Sequence, residues 1–202
     1  MTVSPLLRKL ISKIDEANVK GAMLGAHLMT LYALARHATG PIVECGVGSG
    51  FSTLALLAGA TDAGLSLVSY DVDPARHAVA VRNWQLEATD PLLERWRFVQ
   101  ASSEAAAAHW NDGGVGLMFL DTSHVYRETK RELFVWGPKI RLDGVICGHD
   151  CLLHFDPRWP PKGVKPAVDA FVARTGRFDL QVLRRDHGLF ILWPKGAPSL
   201  SP

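Results

Sequence analysis

The sequence predicts an α/β fold: a doubly wound sheet of seven strands, mostly parallel, with helices on both faces and an antiparallel pair at the end. Three observations predict it. Apolar strand-like runs alternate with helical runs along most of the chain. A strand, a glycine-rich turn and a helix follow one another at residues 41–60. The last two strand-like runs have only a short turn between them, so they pair antiparallel. The chain has 202 residues, 48% of them apolar, with no repeat and no long polar tract. That suits one domain over 1–202 rather than two, with N-terminal helices to residue 38 and an α/β core over 41–193.

Each element has its own signal. Ser4 caps and Pro5 opens a first helix, with Leu6, Leu7, Leu10, Ile11 and Ile14 on one face. A second helix spans about Ala22 to Ala38 and ends at Gly40-Pro41. Pro41 to Cys45 reads as a buried strand that delivers the chain into Gly46-Val47-Gly48-Ser49-Gly50, and Ser52 to Ala60 as the helix behind it. Ser66 to Tyr70 is the next strand and ends at Asp71. Asp73-Pro74 reads as a cap with proline behind it, starting a helix to about Ala88, and Asp90-Pro91 repeats that signal on a shorter scale. Arg97 to Gln100 is a third strand, Glu104 to His109 a short helix, and Asn111 to Gly114 a turn.

Val115 to Leu120 is a fourth strand, its unbroken apolar run fitting burial on both faces. Val125 to Trp136 is helical, with Val125, Thr129, Leu133 and Trp136 placed on one face. Leu142-Asp143-Gly144 reads as a turn into a fifth strand, Val145 to Gly148, followed by His149-Asp150. Residues 151–163 are loop-like and proline-rich, a candidate cover for a substrate. Val164 to Thr175 is a helix with Pro166 near its start. Phe178 to Arg184 and Gly188 to Trp193 close the sheet as a hairpin.

Composition narrows the function classes. Net charge is +2; residues 151–202 hold eight Lys/Arg against four Asp/Glu, an excess too small for a nucleic-acid surface. Three cysteines without a C-x-x-C pair fit a reducing compartment. Charged residues interrupt the apolar positions of the N-terminal run, and no apolar stretch has the length of a membrane span. The expectation is a cytoplasmic protein that binds no membrane and takes a small-molecule substrate. A homodimer through the N-terminal helices stays open.

Ligands of an open parallel sheet bind outside the carboxyl ends of its strands. Gly46, Gly48, Gly50, Asp71, Asp121, His149 and Asp150 all fall at such ends. Glycines allow a tight turn and close approach of a ligand to backbone N–H groups, and the helix behind them presents its positive end. Asp71 is placed to accept hydrogen bonds from ribose hydroxyls. A dinucleotide turn has G-x-G-x-x-G, whereas here the third glycine arrives one place early and Phe51 takes its position. Glu44 would repel a pyrophosphate but suits a cofactor carrying an ammonium group.

The run from Val43 to Thr53 resembles motif I of the class I S-adenosylmethionine (SAM)-dependent methyltransferases. Ser69-Tyr70-Asp71-Val72-Asp73 resembles their second, ribose-binding motif, and Phe98 to Ser103 the segment along the adenine. The resemblance implies a Rossmann-like fold and a SAM site at Glu44, Gly46, Gly48, Gly50, Ser52, Asp71, Ser102, Ser103 and Asp121. Leu120-Asp121-Thr122-Ser123-His124 resembles the fourth motif of small-molecule O-methyltransferases of the catechol and antibiotic-sugar types. It implies Asp121 as an acid that binds a divalent cation and His124 as the base near the acceptor hydroxyl. His149-Asp150 then matches the pair that completes the metal site, giving Asp121, His149 and Asp150 as ligands.

His149 departs from that pattern, because Mg²⁺ and Ca²⁺ prefer oxygen ligands and imidazole suits softer ions. A softer transition metal, a His149 that does not ligate, and no metal at all are three open readings. Asp121 also has a structural reading as the cap of the next helix, and His124 as a surface histidine. The favoured function is O-methylation of a small hydroxylated metabolite. A nicotinamide oxidoreductase and a metal-dependent hydrolase built on Asp121, His124, His149, Asp150 and His154 are the alternatives. His27 and His37 receive no role.

Overall fold

The computed structural model describes residues 12, 23, 25–85, 91–153 and 163–196. The predicted first helix, of which only Ser12 is described, lies outside these residues, as do His154, Phe155 and Trp159 of the proline-rich loop. In chain order the elements are α1 (Gly25–Arg36), β1 (Ile42–Cys45), α2 (Phe51–Asp62), β2 (Leu67–Asp71), α3 (Arg76–Trp84), β3 (Trp96–Gln100), α4 (Ser103–His109), β4 (Val115–Leu120), α5 (Tyr126–Trp136), β5 (Ile140–Gly148), α6 (Val164–Thr175), β6 (Phe178–Leu183) and β7 (Leu189–Pro194). A 3₁₀ turn over Pro91–Arg95 answers the short Asp90-Pro91 signal.

The strands form one seven-stranded sheet in the order β3-β2-β1-β4-β5-β7-β6. The first five are parallel, and β7 pairs antiparallel with both β5 and β6. β1 and β4 are buried along their whole length, as strands covered on both faces must be. Leu28, Leu31, Leu54, Leu57 and Trp84 from α1, α2 and α3 build the core on one face. Ala107, Leu133, Trp136, Val168 and Phe171 from α4, α5 and α6 build it on the other.

Local chemistry shifts several boundaries. Asp73 caps a turn rather than the helix: its Oδ1 accepts the Ala75 N–H at 3.0 Å, and α3 begins only at Arg76. The expected turn at Leu142-Asp143-Gly144 is a bulge inside a longer β5. The strand pairs Ile140 with Val115, then resumes at Val145 opposite Leu117, while Leu142 is turned out to solvent. Pro166 falls in the first turn of α6, where no intrahelical N–H is required. Val125 precedes α5 and is exposed, so it does not share the buried face of Thr129, Leu133 and Trp136.

The ladder runs one bond beyond the carboxyl ends. Gly46 N–H donates to Tyr70 O, Asp121 N–H to Cys45 O, and His149 N–H to Leu120 O, at 2.8, 2.9 and 3.1 Å. The sheet therefore sets Gly46, Asp121 and His149 side by side before any side chain is considered.

Candidate active site

The glycine turn is held from above and below. Gly46 and Gly48 have φ of +94° and +53°, values that a side chain disfavours. At Gly46 the reason is also steric: a Cβ would lie 1.9 Å from the Asp121 carbonyl oxygen. At Gly48 the same direction is open space, leaving bare backbone towards the crevice. Gly50 caps α2, and the Trp84 indole N–H donates to its carbonyl at 2.7 Å. The Asp71 carboxylate fixes the turn from the neighbouring strand. Its Oδ2 accepts the Val47 N–H at 2.8 Å and its Oδ1 the Asp73 N–H at 2.9 Å.

A cavity of about 650 Å³ opens over this turn, within the usual range for small-ligand sites. Gly46, Gly48, Asp71, Ser102, Ser103 and Asp121 line it. Ser102 is held as the cap of α4, accepting the Ala105 N–H at 3.2 Å, and the Ser103 hydroxyl accepts the Trp136 indole N–H at 3.0 Å. Ser52 and Gly50 belong to a smaller adjoining cavity that shares Gly46, Gly48 and Asp121.

Glu44 is placed differently from the sequence expectation. It lies beneath the turn, fully buried, and does not line either cavity. Its carboxylate accepts the Ser52 hydroxyl at 2.8 Å and the Ser69 hydroxyl at 2.6 Å. Burial pushes its pKa up to about 7, against the pull of those hydroxyls. Glu44 and Asp71 thus meet at one turn from two sides, Asp71 on the crevice wall and Glu44 under its floor.

At the end of β4, Asp121 is not a helix cap, since Val125 holds that position. His124 has φ of +62° and turns its ring back towards the strand. Its Nε2 lies 2.9 Å from Asp121 Oδ1 and 3.3 Å from Asp150 Oδ2. Oxygens and nitrogen of Asp121, His124 and Asp150 converge closely enough to hold one metal ion. The expected set of Asp121, His149 and Asp150 is therefore rearranged: His124 joins the two carboxylates, and His149 faces elsewhere. Asp150, with φ of +59°, stands between the two imidazoles: its Oδ1 faces His149 Nδ1 and its Oδ2 faces His124 Nε2. The two-oxygen, one-nitrogen set suits Mn²⁺ or a softer first-row ion better than Mg²⁺.

His149 is buried between Asp150 and a second group. Its Nδ1 is 3.1 Å from Asp150 Oδ1, and its Nε2 is 3.2 Å from His27 Nδ1 and 3.5 Å from Asp186 Oδ2. Burial alone would lower the His149 pKa, but the bonds to Asp150 and Asp186 outweigh it and hold the pKa at about 10. Burial and the neighbouring His149 charge push His27 down to about 4.

Sequence reasoning passed over Thr122, Glu132 and His27. Glu132 lines the main cavity, accepts the Thr122 hydroxyl at 2.9 Å, and has its pKa raised by burial. Its signal was available: an acid among Thr129, Leu133 and Trp136 on the buried face of a helix.

A seven-stranded sheet with a final antiparallel pair, a glycine turn at the switch point and an acid at the end of the neighbouring strand is the class I methyltransferase architecture. The chain belongs to the methyltransferase-domain family, whose family model matches residues 43–151. It is accordingly a methyltransferase, and the nicotinamide and hydrolase readings find no support. No curated protein matches the sequence. Among solved structures, an O-methyltransferase of Bacillus cereus in complex with SAH is 15% identical, with 96% of this chain and 93% of that chain covered and a TM-score of 0.69. An O-methyltransferase of Streptomyces achromogenes, involved in tomaymycin synthesis and in complex with SAM, is 17% identical, with coverage of 96% and 92% and a TM-score of 0.67. An SAH-bound Podospora anserina methyltransferase is 17% identical, with coverage of 96% and 89% and a TM-score of 0.68. At these identities the likeness is one of fold.

Proposed function

We propose that this methyltransferase uses SAM and methylates a hydroxyl oxygen of a small metabolite such as a sugar, a phenol or a natural product. The observation that carries the reading is the cavity running from the bare backbone of Gly46 and Gly48, past Asp71, to Asp121. The first part suits an amino acid and a ribose; the last part adjoins the Asp121–His124–Asp150 cluster. Structural neighbours in complex with SAM or SAH support the choice of cofactor.

In this reading Asp71 and the turn orient the cofactor, and Ser102 and Ser103 border its adenine end. SAM supplies an electrophilic methyl group. The acceptor oxygen forms a bond to that methyl carbon as the carbon–sulfur bond breaks, leaving a neutral thioether. The hydroxyl proton must leave the oxygen, and His124, whose Nε2 lies between the Asp121 and Asp150 carboxylates, is the imidazole beside Asp121 that would take it. A divalent ion held by Asp121, His124 and Asp150 would instead lower the pKa of the hydroxyl and fix its position. His124 then serves as ligand, not base. The protein's main contribution in either case is alignment, since the transfer needs in-line approach.

Calorimetric titration with SAM and with NAD(H), followed by turnover assays on a panel of hydroxylated acceptors with labelled SAM, tests the proposal. Binding of SAM and label appearing as an ether methyl are expected. NAD(H) binding without SAM binding, or label appearing only on nitrogen or carbon, would overturn it.

A further inference from the structure

We propose that His27, His149 and Asp186 form a second metal site, separate from the cluster at Asp121, that takes a borderline divalent ion of the zinc type. His27 comes from α1, His149 from the end of β5, and Asp186 from the turn between β6 and β7. Segments far apart in sequence converge: His27 and His149 are 122 residues apart, yet their ring nitrogens approach to 3.2 Å. One ring nitrogen each of His27 and His149 and an Asp186 carboxylate oxygen all lie within 4.8 Å of one another. Both imidazoles are buried, at 1% and 7% exposure, and Asp186 is partly buried.

His149 Nδ1 faces the Asp150 carboxylate at 3.1 Å, and its Nε2 faces His27 Nδ1 at 3.2 Å and Asp186 Oδ2 at 3.5 Å. A divalent cation between the three would meet two ring nitrogens and a carboxylate together. Two imidazoles and one carboxylate, with further positions left for water, are a donor set for zinc, cobalt, nickel or iron and not for Mg²⁺ or Ca²⁺.

The surroundings are those of a built site. A metal-bound histidine usually donates its other ring N–H to a carboxylate, which fixes its tautomer and orientation. Asp150 Oδ1 does this for His149 while its Oδ2 faces His124. The backbone is held in the left-handed region at Asp150, Asp186 and His187, with φ of +59°, +46° and +59°. Asp186 and His187 take it as the central residues of the tight turn that joins β6 to β7. The ion would tie the N-terminal helix α1 to the strand end that carries Asp150, which the Cys151 and Leu152 N–H groups already join to the hairpin through Gly188 O and His187 O.

This site does not depend on the methyl-transfer reading, and its test does not use turnover. The full chain, stripped with chelator, is titrated with Co²⁺ and followed by visible absorption and equilibrium dialysis. The His27→Ala and Asp186→Asn variants are each expected to bind one equivalent less than the wild type, whereas Asp121→Asn keeps that equivalent. Zn²⁺ is expected to raise the melting temperature of the wild type and to leave that of His27→Ala unmoved. His27→Gln, which retains a polar side chain at the same place, serves if the alanine variant does not fold, and it too is expected to lose the equivalent. Wild-type protein that binds no Co²⁺, or a folded His27 variant that binds as many equivalents as the wild type, overturns the site. Loss of the equivalent in Asp121→Asn alone assigns the ion to the other cluster and also overturns it.

Discussion

The Asp71 carboxylate accepts the backbone N–H of Val47 at 2.8 Å, so the residue proposed to hold a ribose also holds the turn proposed to seat the rest of the cofactor. Asp71→Ala removes both functions. Its expected effect is SAM binding weakened about tenfold to a hundredfold, the scale of one charge-assisted hydrogen bond at ~1.5–3 kcal/mol. Calorimetry with SAM and with its demethylated product reads it directly, and unchanged affinity for both contradicts the placement.

His124→Ala is expected to lower turnover by roughly 10²–10⁴, the usual span for a lost general base, with cofactor affinity preserved. His124 borders the Asp121–Asp150 cluster but is not among the residues lining the main cavity. Separate measurement of kcat and of the SAM Kd distinguishes this from general disruption. Turnover equal to wild type would remove His124 from the reaction.

Excess EDTA is expected to reduce turnover, with Mn²⁺ restoring more activity than Mg²⁺, because nitrogen joins two oxygens in the Asp121–His124–Asp150 set. Full turnover in EDTA would mean that the cluster works by proton transfer alone.

Glu44 gives a pH signature in the protein without cofactor. Its folded pKa of about 7 exceeds the ordinary 4.5, so the fold favours the protonated carboxyl. That contribution is fully present below pH 4.5 and is lost as pH rises to about 7, at ~1.4 kcal/mol for each pH step of one. Glu44→Gln keeps a polar group between Ser52 and Ser69 but does not ionise. The difference in melting temperature between wild type and variant is expected to move in favour of the variant from pH 4.5 to 8. A constant difference across that range contradicts the raised pKa.

The three thiols are expected to resist a disulfide reagent in the native protein and to react together on unfolding. Cys45, Cys147 and Cys151 are all buried, and burial raises each thiol pKa, to about 12 for Cys151. Rapid labelling of one thiol under native conditions would show an opening that the packing does not.

The legible parts of the chain were those set by short-range chemistry. The glycine turn, Asp71 and Asp121 announce themselves through the strands that end at them, and an unbroken apolar run such as Val115–Leu120 has few other uses. What was hidden depends on long-range meetings. A histidine inside a helix looks the same whether it faces solvent or, like His27, another ring 122 residues away. Asp186 sits in a four-residue turn where aspartate is ordinary. The departure at His149 was visible as an imidazole where an oxygen ligand was expected, but its meeting with His27 and Asp186 is long-range and no local signal dictates it. The Leu142-Asp143-Gly144 signal was real, and β5 absorbed it as a bulge because Ile140 still had a partner in Val115.

The Asp121 carbonyl that leaves Gly46 without room for a side chain is also a mechanical coupling. The glycine turn and the end of β4 abut through backbone, with no side chain between them to yield. A change of acceptor would then be made at the perimeter, in α1 and in the turns after β5 and β6, because any shift of the turn would have to move Asp121 with it.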